Sequence, residues 1–290
     1  MVLTPQRIGV VGAGMMGSEI ALVFAMAGFD VRLNDAGPDR LDAALANLAK
    51  VLDKGAGRGL WPAEMVAPTL ERIRPTTELA DFADRDFVIE AVFEDEAVKA
   101  EVFRRLDAVC TADCLLASNT SSISITVLSS ALPPGRRPRF LGTHFFSPVS
   151  RMKLVEVIPG LDTASDAVEQ AIAACTAAGK TAIRVKDVAG FAVNRLLHAF
   201  LIEAMRLAEE GVATPADLDA ACRLGLGHPI GPFEMMDLVS NSLVLQVQEV
   251  MADAYGDRFR PPPLLKQMVK AGYDGRRAGR GWHVAKGGVG

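Results

Sequence analysis

Residues 7 to 17, Arg7-Ile8-Gly9-Val10-Val11-Gly12-Ala13-Gly14-Met15-Met16-Gly17, decide the fold of this chain. Ile8 to Val11 is a short apolar run, the pattern of a parallel strand buried on both faces. Three glycines spaced Gly-x-Gly-x-x-Gly then interrupt it. Ser18 to Ala27 follows with helical character, and Gly28 is placed as its C-cap. Phe29-Asp30-Val31-Arg32-Leu33-Asn34-Asp35 reads as a second strand. Strand, glycine turn, helix and strand together make a βαβ unit.

The alternation continues outward from that unit. Pro38 to Leu52 is helical in pattern, and Gly55-Ala56-Gly57-Arg58-Gly59 is expected to break it. A second helix is expected over Ala63 to Arg72. The pair reads as a polar-faced helical excursion from the sheet, which resumes at Phe87-Val88-Ile89-Glu90-Ala91-Val92. Ala97 to Cys110 predicts a helix, Leu115 to Ser118 a strand, and Asn119 to Ser122 a polar turn. Pro133 to Pro138 is a loop, and Phe140 to His144 and Leu154 to Ile158 predict further strands. Such alternation predicts a doubly wound α/β domain. The texture changes after Asp187. Helices are expected over Phe191 to Glu210, from Thr214 as N-cap with Pro215 at the first helical position, and over Pro232 to Ala254, with no strand. A boundary near residues 186 to 190 divides the chain into an α/β domain, 1–187, and an all-helical domain, 188–290. The tail Gly287-Gly288-Val289-Gly290 is expected to be loose.

The chain has 290 residues, half of them apolar, and a net charge of −4. That is enough for two domains and a large core. It offers no basic field for nucleic acid and no anchor for a membrane. No apolar run reaches the ~18 residues of a membrane-crossing helix, and the N-terminus lacks a signal-peptide pattern. Cys110, Cys114, Cys175 and Cys222 show no Cys-x-x-Cys spacing. They are expected to be buried free thiols of a cytoplasmic protein, with no metal site.

The glycine turn follows a strand and opens a helix, and Asp35 stands 18 residues after Gly17 (35 − 17) at the end of the next strand. That is the Rossmann-type dinucleotide arrangement. Gly12 permits the tight turn, Gly14 lets the backbone approach the pyrophosphate, and Gly17 lets helix and strand pack closely. Met15 and Met16, within this turn, are counted with the cofactor site, and the N-terminus of the helix that follows supplies N–H groups and positive dipole to the phosphates. Asp35 is placed to accept hydrogen bonds from the adenosine ribose. It repels a 2′-phosphate, which favours NAD over NADP. Arg40 is the nearest basic residue and is expected to lie too far along to answer Asp35.

A second feature concerns chemistry. Glu156 interrupts the apolar run Lys153-Leu154-Val155-Glu156-Val157-Ile158. A lone carboxylate in a buried strand is costly unless paired, and His144 is the only histidine nearby in sequence. An imidazole oriented by a buried carboxylate makes a general base near neutral pH. Of the other histidines, His198 is expected to be a packing or surface residue, His228 a loop residue and His283 exposed near the tail.

Several long stretches match a known family in order. They are VVGAGMMGSEIA (10 to 21), VIEAVFEDEAVKAEVF (88 to 103), SNTSSISIT (118 to 126), GTHFFSPVSRMKLVEVI (142 to 158), KDVAGFAVNRLL (186 to 197) and GHPIGPFEMMDLV (227 to 239). Over nearly its whole length the chain resembles the L-3-hydroxyacyl-CoA dehydrogenases, including the bacterial 3-hydroxybutyryl-CoA type. The resemblance implies a reversible, NAD-dependent oxidation of an acyl-CoA substrate. It makes His144 the catalytic base and Glu156 its partner, and sets Ser121 and Asn194 beside the substrate oxygen. It assigns Asp35, Glu94, Lys99 and Asn119 to the cofactor pocket, and Asn47 with Lys54 to the coenzyme A side. It also implies a homodimer, as does the apolar helical domain. Ser147, Ser240-Asn241-Ser242 and Gly281-Trp282-His283 depart from the family pattern and leave the acyl preference open. Two other readings stand beside this one: a related dehydrogenase of a free 3-hydroxy acid or sugar acid, and a recruited binding or structural protein without catalysis.

Overall fold

The structure is a computed structural model and describes residues 4–283; the tail Gly287 to Gly290 lies outside them. The chain divides into two compact units between Val188 and Ala189. In the first, the chain runs β1 (Arg7–Val11), α1 (Met15–Met26), β2 (Asp30–Asn34), α2 (Pro38–Ala56), α3 (Val66–Glu71), β3 (Ile73–Thr76) and β4 (Phe87–Glu90). It continues through α4 (Glu96–Val109), β5 (Leu115–Ser118), α5 (Ile125–Ser129), β6 (Phe140–Phe145), β7 (Leu154–Pro159), α6 (Ser165–Ala177) and β8 (Thr181–Arg184). The eight strands form one sheet in the order β3-β2-β1-β4-β5-β6-β7-β8. All neighbours are parallel except β6 and β7. The unit is a doubly wound, Rossmann-type α/β domain.

The helical excursion has a packing reason. Helix α1 is apolar nearly all round, and Ile20, Leu22, Val23 and Phe24 are all buried. The sheet covers only one face of such a helix. Helices α2 and α3 pack on α1 and cover another. Helix α2 ends at Ala56, inside the glycine-rich stretch expected to break it, with Gly57 as its C-cap. Gly55 is buried because the indole of Trp61 lies against it, where a Cβ would collide, and Trp61 Nε1 donates to Leu52 O at 2.9 Å. The glycine serves close packing here, not helix termination.

The sheet also resumes earlier than expected, at β3, which pairs in parallel with β2. In Ile73-Arg74-Pro75-Thr76 only Ile73 is buried. An edge strand with one core residue and a proline carries little periodic pattern, and proline is tolerated there because no further strand needs its N–H. Strand β8 at the other edge is equally polar, and neither it nor α6 stands out from the sequence.

The second unit is all helical: α7 (Val193–Glu209), α8 (Pro215–Gly225), α9 (Pro232–Val239), α10 (Asn241–Tyr255) and α11 (Pro263–Lys270). Its core joins Leu201, Met205, Phe233, Met236, Met251 and Phe259. Thr214 caps α8 by accepting from Asp217 N, with Pro215 at the first position. The single helix expected over Pro232 to Ala254 is two helices, because Ser240 adopts φ 120° and turns the chain. Its hydroxyl then accepts from Leu243 N to open α10.

Two departures from the family pattern prove to be partners. Asn241, with no exposed surface, accepts from Trp282 Nε1 at 2.8 Å and donates to Tyr273 O at 2.7 Å. His283 is not an exposed tail residue. Its Nε2 lies 2.7 Å from Oδ2 of Asp219, and Asp237 accepts from the backbone N–H groups of Trp282 and His283. Buried Asp219 and Asp237 each need donors, and the C-terminal segment supplies them. His198 is buried, and burial pushes its imidazole down to about 4. The His228 ring meets Phe200 edge-on. Cys110, Cys114 and Cys175 are buried free thiols and Cys222 is half-buried. No helix among the described residues is long and apolar enough to cross a membrane.

A Cβ at Gly17 would strike the carbonyl oxygen of Gly12. Gly17→Ala is therefore expected to lose about 1–3 kcal/mol of stability, read by urea unfolding, and to weaken NADH binding in a fluorescence titration. Unchanged values for both would show that the turn yields freely.

Candidate active site

The eight residues Phe146 to Lys153 connect β6 to β7. That is too short for a helical crossover, so the two strands run antiparallel. Their register sets His144 directly opposite Glu156. His144 Nδ1 lies 2.8 Å from Glu156 Oε2. Glu156 is 0% exposed and His144 6%. A carboxylate that only accepts selects the Nδ1–H tautomer and makes Nε2 the basic nitrogen.

His144 lines a cavity of about 320 Å³ together with Ser121, Asn119, Glu94 and Phe146. Ser147 lines it too. Asn119 follows β5, and its Oδ1 accepts from Phe145 N at 2.9 Å, tying that loop to the end of β6. Ser121 is held by its backbone: its N–H donates to Glu94 Oε1 at 3.0 Å. The same oxygen accepts from the hydroxyls of Thr120 and Ser122 at 2.5 and 3.0 Å. Glu94 thus folds the turn after β5 around one carboxylate.

Beneath the cavity lies a buried ion cluster. Lys99 Nζ is 2.7 Å from Glu90 Oε1 and 3.2 Å from Glu94 Oε2. Glu90 also accepts from Ser118 Oγ and from Val92 N, both at 2.7 Å. Burial raises the Glu90 carboxyl above its ordinary range, against the pull of Lys99, Ser118 and Val92. Burial also pushes Glu94 up, but Lys99 and the donors of residues 120 to 122 more than reverse this and hold it below that range. Lys99 is 1% exposed and does not itself line this cavity. It reaches the site through Glu94, which does line this cavity. Glu90 escaped the sequence reading, although a carboxylate inside the apolar run Phe87 to Val92 carries the same signal as Glu156.

A second cavity, about 590 Å³, is lined by Gly12, Gly14, Met15, Asp35, Arg40 and Phe93. Gly12 has φ 103°, and a Cβ there would collide with the backbone of Ala91. Nothing stands within 4 Å of a Cβ on Gly14, so the turn is open toward the cavity. Asp35 Oδ2 accepts from Ala13 N at 3.0 Å and Oδ1 from Gly37 N at 3.1 Å. A carboxylate has about four acceptor sites, so two remain for ribose hydroxyls. Open glycine backbone, helix N-terminus and terminal carboxylate fit a dinucleotide. Arg40 does reach Asp35: α2 starts at Pro38, so Arg40 sits in its first turn, 3.8 Å from Asp35 Oδ1. Met16, Ala91 and Val92 line both cavities.

Asn47 and Lys54 are exposed on α2 and line none of these cavities. Asn194 stands in the first turn of α7 in the helical unit, half-buried.

Fold and site define a nicotinamide-linked dehydrogenase. Comparison with known proteins narrows this. The 3-hydroxyacyl-CoA dehydrogenase NAD binding domain matches residues 7–188, and the C-terminal domain of the same family matches residues 190–284. The chain belongs to the 3-hydroxyacyl-CoA dehydrogenase family. It is 42% identical to a 3-hydroxybutyryl-CoA dehydrogenase of Mycobacterium tuberculosis, over 96% of this chain and 98% of that one. The (S)-3-hydroxybutyryl-CoA dehydrogenase of Ralstonia eutropha, a crystal structure, is 37% identical with a TM-score of 0.94, over 98% of this chain and 100% of that one. A 3-hydroxyadipyl-CoA dehydrogenase of Escherichia coli is 38% identical over 97% of this chain and 59% of that one.

Lys99→Met is expected to destabilise the protein by about 3–5 kcal/mol, because Glu90 stays buried without its cation. Adding Glu90→Gln should recover most of that loss in urea unfolding. A double variant no more stable than the single one would remove the charge from the explanation.

Proposed function

We propose that the protein catalyses the reversible, NAD-dependent oxidation of an L-3-hydroxyacyl-CoA to the 3-ketoacyl-CoA. The carrying observation is the shared wall: Met16, Ala91 and Val92 border both the His144 cavity and the cofactor cavity. A substrate bound at His144 therefore lies next to a nicotinamide bound along the glycine turn. The bound NAD supplies the hydride acceptor.

His144 Nε2 takes the proton of the 3-hydroxyl as the alcohol is oxidised. The charge that appears on the imidazole is stabilised by Glu156 at 2.8 Å, where both side chains are buried. In the reverse direction the imidazolium returns the proton to the ketone oxygen. Ser121, in the same cavity, hydrogen-bonds that oxygen. Asn194, from the first turn of the helical unit, is assigned the second hydrogen bond. Gly12, Gly14, Met15, Met16 and Gly17 hold the pyrophosphate, Asp35 the adenosine ribose, and Glu94 and Asn119 the nicotinamide side, with Lys99 fixing Glu94. Asn47 and Lys54 offer polar contacts to coenzyme A from the exposed face of α2. The exposed Leu196, Leu224 and Leu226 of the helical unit support a homodimer. Absence of any membrane-length helix among the described residues and the free thiols support a cytoplasmic location.

His144→Ala is expected to lower turnover of acetoacetyl-CoA with NADH by about a hundred- to ten-thousandfold while NADH binding stays intact. Comparable turnover would remove His144 from the mechanism. Glu156→Gln should keep the fold and lose turnover on the same scale of about a hundredfold or more. In the wild type, reduction of acetoacetyl-CoA should exceed that of free acetoacetate. Activity on the free acid alone would replace the coenzyme A thioester as substrate.

A further inference from the structure

Glu94 borders the His144 cavity, with its side chain 32% exposed. Its Oε1 accepts from Thr120 Oγ1, Ser121 N, Ser122 N and Ser122 Oγ at 2.5–3.2 Å. Lys99 Nζ lies 3.2 Å from Oε2. These donors fill the about four acceptor sites of a carboxylate. What Glu94 presents to the cavity is therefore its charge rather than a hydrogen bond. That charge is not cancelled from beneath. Lys99 lies nearer to Glu90, at 2.7 Å, and both are buried. Two carboxylates share one ammonium, so the cluster keeps a net negative charge, and Glu94 is the member that lines this cavity. Burial pushes the Glu94 carboxyl up, but Lys99 and the donors of residues 120 to 122 hold it below the usual carboxylate range, so it is ionised at neutral pH. Among the described residues, no lysine or arginine lines the cavity to answer it.

The chain leads from the cofactor directly to Glu94: Ala91, Val92 and Phe93, just before it, line the dinucleotide cavity. Oxidation of the substrate breaks one C–H and one O–H bond. The hydride leaves with both electrons for the oxidised nicotinamide, which bears a positive charge, and the proton goes to His144 Nε2. One positive charge is thus lost from the ring and one is gained by the imidazole. A fixed carboxylate beside either position favours the state that is positive there, most strongly where water is displaced. We propose that Glu94 is the counter-charge of the oxidised nicotinamide, as Glu156 is of the imidazolium, so that the reaction moves one positive charge from one carboxylate to the other. Glu94 then strengthens the binding of NAD relative to NADH, and Glu156 offsets this by favouring the protonated imidazole. The proposal rests on the placement of Glu94 at the nicotinamide side given above.

The test is a set of dissociation constants, independent of turnover. NAD, NADH and ADP-ribose, which lacks the nicotinamide, are titrated calorimetrically into the wild type and three variants. In Glu94→Gln the affinity for NAD should fall about tenfold relative to NADH, with ADP-ribose binding unchanged. Glu90→Gln takes the same charge from the cluster at a residue that does not itself line the His144 cavity. There NAD should weaken relative to NADH by about threefold. Glu94→Asp keeps the charge and should keep the ratio of the two affinities within about twofold of the wild type, even where both fall together. An unchanged ratio in both glutamine variants, or a ratio shifted as far in Glu94→Asp as in Glu94→Gln, overturns the counter-charge and leaves Glu94 as a contact or a brace. Unchanged affinity of Glu94→Gln for both NAD and NADH would also remove Glu94 from the nicotinamide side, with the dehydrogenase reaction itself still standing.

Discussion

A carboxylate with no exposed surface must have a donor beside it, and the pairing of Glu156 with His144 is where this chain meets that demand. The pairing constrains more than two side chains. It requires β6 and β7 to be neighbours in one register, since a slip of one residue would turn Glu156 to the other face. It requires an antiparallel pair, which the eight-residue connection enforces. It sets the imidazole so that Nδ1 faces the acid, and thereby decides which ring nitrogen does chemistry. A reversed pair of strands at one end of an otherwise parallel sheet is thus part of the site rather than an ornament of the topology.

The same rule operates a second time, one layer below. Glu90 ends β4 and is also wholly buried, and Lys99 reaches back from α4 to meet it. Through Lys99 the demand passes to Glu94, and from Glu94 to the backbone and hydroxyls of residues 120 to 122. Asn119 completes the circuit by accepting from Phe145 N beside His144. The ends of β4, β5 and β6 are therefore joined by hydrogen bonds to side chains, not only by the sheet ladder. Loops that are usually the most mobile parts of a domain are here held at several points each.

Patterns with a strict local requirement were readable from the residues alone. The glycine turn needs Gly12 at φ 103° and an unencumbered Gly17, and no other residue meets those needs. Glu156 in an apolar strand announced a partner. Features that depend on tertiary surroundings were not readable. The edge strands β3 and β8 bury too little for a periodic signal. The packing of Trp61 against Gly55 was hidden, because the two meet only after the chain turns back. Ser240 gave no warning of a positive φ, since serine rarely adopts one. The range of Arg40 and the docking of the His283 ring on Asp219 depend on where neighbouring elements start and end. The departures at Asn241 and Trp282 suggested an altered substrate pocket. They are an internal hydrogen-bonded pair.

Strand β1 lies between β2, its near neighbour in the chain, and β4, reached only after the whole helical excursion. Arg7 N donates to Asp86 Oδ2 across 79 residues. During folding the first contact is local, while the second must close a long loop before any energy returns. Gly12 sits on this line, its N–H donating to Asn34 O on one side and its Cα against Ala91 on the other. The dinucleotide turn is therefore completed late, when the two halves of the sheet join. A ligand bound there stabilises that joined state by mass action, so cofactor binding and the joining of the two halves of the sheet support one another.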